Sequence, residues 1–190
     1  MGASLDATRW KMEKIKAGGI IHNTNLAEIG VMSVPDRPGI ASAILGALGE
    51  RDINVQFIVQ CIAPQKRTHM ILCVAQDDLR ETLSAIEEAK PKVEAEEVTC
   101  QPNVALVSVF GPHFRDYPGI AALAFSALTS VEINILAIST SISTISCVID
   151  GDRVAEATKA LREAFDVPPS AIFIALCGLS LRSTVCGEEG

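Results

Sequence analysis

Asp36-Arg37-Pro38-Gly39-Ile40-Ala41 and Asp116-Tyr117-Pro118-Gly119-Ile120-Ala121 are one motif written twice, 80 residues apart. At that fixed offset Ala47-Leu48 falls on Ala127-Leu128, Ile53-Asn54 on Ile133-Asn134 and Ile58 on Ile138. Ten of the 25 positions from Pro35 to Val59 match without a gap. Chance coincidence of Ala and Ile would not also align Pro-Gly and Ile-Asn. A period of this size marks a duplication in which each copy is one supersecondary unit.

Both copies read in the same order. Residues 26–33 form a β-like run. Asp36 is placed to cap a helix that begins near Pro38, since proline suits the first helical turn. Ile40, Ile44, Ala47 and Leu48 recur at helical spacing, and Gly49 is a plausible stop. Residues 53–62 and 69–75 read as a hairpin. Asp77 or Asp78 is expected to cap a second helix with Leu79, Leu83 and Ile86 inside, and 93–100 is a weak final strand. In the second copy the strands are 104–110, 133–139, 144–149 and 171–177, and the helices 119–128 and 154–165. Taking Cys147 as the equivalent of Cys73 makes the second hairpin about six residues shorter, so 63–67 is an inserted, solvated loop. The order βαββαβ predicts an α+β fold of two ferredoxin-like units, each an antiparallel sheet with its helices on one face. The expected divisions are an extension over 1–19, a first unit over 20–101, a second over 102–180 and a tail over 181–190.

The chain has 190 residues, 48% apolar and only 4% aromatic, so its core must be built from Ile, Val, Leu and Ala. Units of about 80 residues have thin cores and gain from packing on each other or on a second chain. Lys and Arg number 16 against 23 Asp and Glu. With one Trp and one Tyr, this acidic chain lacks both the phosphate-neutralising patch and the stacking platform of a nucleic-acid binder. The six cysteines form no CxxC pair and stand at no ligand spacing with His22, His69 or His113, so no metal or other cofactor is expected. Free cysteines suit a reducing cytoplasm. The N-terminus lacks the apolar core of a signal peptide, and no apolar run is long enough to span a bilayer.

The candidate site is the stretch 34–41 between the first strand and the first helix. Backbone N–H groups opening at a helix N-terminus favour an anion such as a carboxylate, and Gly39 permits close approach. Asn54 begins the neighbouring strand and is expected beside this loop. Together they could hold a zwitterion. No Gly-rich phosphate loop and no paired-carboxylate or His-Cys arrangement stands out, so catalysis by this chain alone is not expected.

Val34-Pro35-Asp36-Arg37-Pro38-Gly39-Ile40-Ala41, followed by Ala47-Leu48 and Ile53-Asn54-Val55, resembles the first ACT domain of aspartokinases. Pro118-Gly119-Ile120-Ala121, Ile133-Asn134-Ile135 and Ile138-Ser139-Thr140-Ser141 resemble the second, and Gly19-Ile20-Ile21-His22 is similar to the family's lead-in strand. The resemblance covers about 20–178. It implies a regulatory module that binds an end-product amino acid at domain or subunit interfaces and signals to a kinase catalytic chain. It further implies that the second unit is inserted within the first, so that 171–178 could complete the first sheet, and that the chain pairs as a homodimer through its ACT domains. The effector set carried over is Asp36, Arg37, Pro38, Gly39, Ile40, Ala41, Asn54, Val55, Gln56 and Gln60. The weaker second-copy equivalents are Pro118, Gly119, Ile120, Asn134, Ile135, Ser139, Thr140 and Ser141. The family carries acids in place of Gln56, Leu136 and Ile142. A lysine ammonium beside Leu136 and Ile142 would be unpaired, so threonine or another aspartate-family amino acid is the expected ligand rather than lysine. The competing reading is an interaction module whose ligand sites have decayed.

Overall fold

The computed structural model describes residues 14–168. The chain runs β1 (Gly19–Pro35), α1 (Ile40–Gly49), β2 (Phe57–Ala63), β3 (Arg67–Ala75), α2 (Leu79–Val93), β4 (Glu97–Phe110), α3 (Ile120–Thr129), β5 (Ala137–Thr140), β6 (Thr144–Asp150) and α4 (Val154–Ala164). The duplication is visible as two βαβ–βα series. The final strand expected at 171–177 and the tail at 181–190 lie outside the described residues, as does 1–13 of the N-terminal extension.

The strands of the described residues form one six-stranded sheet in the order β2-β3-β1-β4-β6-β5. Two strands that the sequence divides are continuous. The lead-in 19–22 and the run 26–33 are both β1, and the final strand of the first copy joins the first strand of the second as β4. Because β1 and β4 pair antiparallel along their length, each serves both units. Leu26–Pro35 borders β3 on one side and Glu97–Gln101 on the other, while Gly19–Asn23 lies against Leu106–Phe110 and so extends the β4-β6-β5 half. The nesting is thus the reverse of the one the resemblance implies. Among the described residues the first unit sits inside the second, and the place beside β1 in the first unit is filled by Glu97–Gln101. Ile15 to Ala17 continue this half through backbone bonds with Asp166, and Ala17 is buried.

Both long strands break their pleat at an asparagine in left-handed conformation, Asn25 (φ 60) and Asn103 (φ 55), where the register of β1 on β4 shifts. Asparagine tolerates this conformation better than most L-residues. Asn103 is clamped there: its N–H donates to Gln76 Oε1 at 3.0 Å and its Nδ2 to Asp152 Oδ1 at 3.1 Å, one partner from each unit.

The core has three parts. Ile29, Val31, Leu72 and Val74 face Ile44, Leu48 and Ile86 of α1 and α2. Ile20, Val107, Val109 and Cys147 face Ala124, Leu128, Ala157 and Leu161 of α3 and α4. On the opposite side of the sheet Phe57, Cys73, Leu26, Val104, Val148 and Ala137 make a row across all six strands. The sheet curls around this row until its two edge strands, β2 and β5, touch. Burial of such apolar faces is the main stabilising term.

Register corrects the hairpin comparison. Ile58 pairs with Leu72, and its repeat partner Ile138 with Cys147. Cys147 is therefore the counterpart of Leu72, beneath the helices, whereas Cys73 corresponds to Val148 on the opposite side. The second hairpin is five residues shorter. The extra segment Pro64–Lys66 is a 3-10 turn, with Gln65 and Lys66 at positive φ and exposed.

Helix starts also differ from expectation. α1 begins at Ile40 with Gly39 as N-cap, and no side chain caps it. Asp36 instead donates its N–H to the Lys66 carbonyl at 2.9 Å. Asp77 and Asp78 fall in a 3-10 turn before α2, again without a side-chain cap. The predicted strands at 53 and 133 begin later, at Phe57 and Ala137. Ile53 and Ile133 first close the preceding helices by bonding back to the carbonyls of Leu48 and Leu128. No helix among the described residues is long and apolar enough to cross a membrane.

Candidate functional site

The loop between β1 and α1 surrounds a depression of about 470 Å³ lined by Pro35, Asp36, Arg37, Pro38, Gly39, Ile40, Ala41 and Gln60. Six of these belong to the repeated motif. Gly39 has φ 95 and a Cβ there would meet nothing within 4 Å, so its glycine is required by conformation and not by space. The first-turn N–H groups of α1, which follow this turn, have no intrahelical acceptor. Gln60 comes from edge strand β2, on the side shared with Ile58 and Ile62. The mouth is shallow, since residues 36–39 and Gln60 are all exposed.

The structure does not bring the rest of the first-copy set here. Asn54 precedes the start of β2, while the pocket takes Gln60 from the middle of that strand. Gln60, the pocket residue on β2, stands six residues after Asn54, about 20 Å of extended chain at the rise of a β-strand. The physical reason is topological: a strand following α1 must start at the helix's C-terminal end. Asn54 is exposed, Val55 packs against the first core, and Gln56 accepts from Asn23 Nδ2 at 3.3 Å near the junction of the two units.

The pocket loop is tied to distant chain. Arg37 Nη2 donates to Glu94 Oε1 at 2.7 Å and to the Lys92 carbonyl at 3.4 Å. Arg67 holds the same turn through the Glu94 carbonyl at 3.2 Å and Glu96 at 3.0 Å, and anchors it to Ser33 Oγ at 3.1 Å. Thr68 was missed by the sequence reading. It is 1% exposed with its hydroxyl unpartnered, on the helix-facing side of β3 at the loop end. The signal available was its place in the alternation Thr68, Met70, Leu72, Val74.

The second-copy equivalent is a wider depression of about 560 Å³, lined by Phe114, Arg115, Tyr117, Gly119, Ile120, Ala121, Thr140, Ser141, Ile142 and Ile145. Of the second-copy set it contains Gly119, Ile120, Thr140 and Ser141. Pro118, Asn134, Ile135 and Ser139 lie outside its wall. Tyr117 and Ile142 are exposed, whereas Phe114 is buried, its ring 6.0 Å from that of Phe165.

Burial pushes the thiol of Cys73 up to about 12 and that of Cys147 up to about 11, so both stay protonated and act as apolar filling. Cys177 and Cys186 lie outside the described residues. Glu28, on β1 beside Cys73, has its carboxyl raised by burial, and its Oε2 has no hydrogen-bond partner. Among the described residues no three His, Cys, Asp or Glu side chains are grouped to hold a metal.

Two family profiles, each described as an ACT domain, match residues 28–90 and 107–165. The chain is 32% identical over 168 residues to the aspartokinase of Pseudomonas aeruginosa, covering 88% of this chain and 41% of that protein. It thus spans about two-fifths of the length of that curated relative. Coverage is nearly complete for the ligand-free regulatory subunit of aspartate kinase from Thermus thermophilus, with 33% identity, 79% of this chain, 99% of the other and a TM-score of 0.71. A structure of aspartokinase alpha and beta subunits matches at 34% identity, over 78% of this chain and 97% of the other, with a TM-score of 0.71. With both ACT units accounted for and an isolated regulatory subunit matched end to end, the chain belongs to the ACT-domain family of aspartate kinase regulatory subunits and domains.

Proposed function

We propose that the chain is the amino-acid-sensing part of an aspartate kinase, and that the effector binds in the first-copy pocket. The observation that carries this reading is the convergence of Asp36, Arg37 and Gln60 around the exposed start of α1. A ligand carboxylate is favoured at the helix start and beside Arg37, and its ammonium at Asp36 and the Gln60 carboxamide. One carboxylate offset by a neighbouring guanidinium gives no net attraction for a second cation. That favours a neutral side chain, threonine or another aspartate-family amino acid, over lysine. The second copy, with Tyr117, Ile120, Ile142 and Ile145 in its wall, fits an interaction surface better than a zwitterion site.

The open mouth and, among the described residues, the uncovered outer sides of β2 and β5 support a homodimer in which the second chain closes the pocket. Ile58 and Ile62 on β2, and Ile138 on β5 with Ile142 just beyond it, are exposed at repeat-related positions. Unpaired edges bearing apolar side chains invite strand pairing. The partner to be regulated is a kinase catalytic chain. A thermal-shift screen of all twenty amino acids is expected to give one saturable stabilisation, from a neutral aspartate-family member. The absence of any response at millimolar concentration would sink the reading.

A further inference from the structure

We infer that Arg37 is the carboxylate-binding group of the first pocket and that Glu94 is a built-in competitor for it. The inference rests on the reading of that pocket as an amino-acid site. Among the described residues Arg37 is the one cation in the pocket wall, yet its guanidinium is directed at Glu94, which is not part of the wall. Glu94 comes from the turn after α2, where it holds the left-handed conformation (φ 53). Guanidinium binds one carboxylate as readily as another in the same fork geometry. A ligand carboxylate entering the depression therefore meets a donor already matched to it and occupied by an internal carboxylate.

The pair can be exchanged at low cost. Its side chains are 51% and 56% exposed, so the attraction is screened by water and salt. The turn does not depend on Arg37, because Arg67 holds the Glu94 carbonyl and the Glu96 side chain independently. Release of Arg37 frees the Glu94 side chain without unmaking the backbone beneath it. Effector binding is in this way coupled to the segment that joins α2 to β4, the strand shared by both units. The second copy has Tyr117 at the position of Arg37 and cannot form this pair.

Calorimetric titration of the full chain with L-threonine, for wild type, Glu94→Gln and Arg37→Gln, tests the inference. L-threoninamide serves as the probe without a carboxylate. Removing the competitor is expected to tighten L-threonine about two- to fivefold, the range an exposed ion pair is worth. Arg37→Gln is expected to weaken it about tenfold, the scale of losing a charge-assisted hydrogen bond. Threoninamide should neither gain from Glu94→Gln nor weaken in Arg37→Gln. Wild-type binding of L-threonine with no gain in Glu94→Gln, or with undiminished affinity in Arg37→Gln, overturns the competitor and leaves the amino-acid reading standing. Failure of all three proteins to bind L-threonine overturns the competitor as well, and the twenty-amino-acid screen then decides the reading of the pocket separately.

Discussion

Glu28 and Thr68 each set a polar group without a hydrogen-bond partner into the buried part of the sheet. Glu28 is half-buried next to Cys73 with one carboxylate oxygen unpaired, and burial raises its carboxyl above the ordinary 4.5. In the folded chain the proton is therefore held more tightly than in the unfolded chain. The folded state binds more protons in the window above 4.5, so this residue's contribution is fully favourable below that value and is lost as the pH rises through the raised one. Glu28→Gln is expected to raise the melting temperature at neutral pH, with the gain shrinking to nothing as the pH falls below 4.5, measured by calorimetric scans across pH 3–8. An equal gain at all pH values would refute the assignment. None of this was legible in the sequence, where Glu28 is one polar letter in an alternating strand. Gly39 was legible, because a repeated Pro-Gly before a helical pattern demands a backbone conformation that only glycine adopts freely. Asn54 was legible as a strand start but misplaced in space, because the sequence reading did not trace which end of β2 the helix delivers it to.

At the scale of elements, the long strands carry the lesson. Ile20 precedes the whole first unit in sequence, yet it is 1% exposed within the core of the second, among Val109, Ala124 and Leu128. Ile20→Ala is expected to cost about 2–5 kcal/mol, the range for truncating a buried aliphatic side chain. Hydrogen exchange should show protection lost in α3, β6 and α4 before α1 and α2. Loss confined to α1 and α2 would contradict the pairing of Gly19–Asn23 with β4. The helices were read well from their apolar spacing, since that spacing is local. The sequence pattern divides β1 and β4 into two strands each, and the structure places the left-handed residues Asn25 and Asn103 at those divisions. Both are breaks in pleat but not in chain direction, because the long antiparallel partner supplies hydrogen bonds on both sides of the bend.

At the scale of the whole molecule, the curled sheet hides its inner row of apolar side chains, and among the described residues nothing covers the outer sides of β2 and β5. Ile62 is 72% exposed and Ile58 39%. Ile58→Lys with Ile62→Lys is expected to shift the proposed homodimer to monomer in light scattering and to change the thermal midpoint only through loss of that interface. A dimer that persists would place the contact elsewhere. What the sequence by itself determined is the duplication, the α+β class, the family and the loop that forms the pocket, because each of these is written in local periodicity and in motif residues whose backbone demands are fixed. What only the tertiary structure decided is which strand completes which unit, that Cys73 and Cys147 face opposite sides of the sheet, that Asn54 is remote from the pocket, and that Arg37 reaches Glu94. These depend on register and on the antiparallel pairing of distant strands. A one-residue change in register moves a side chain to the other face without altering the local pattern from which it was read.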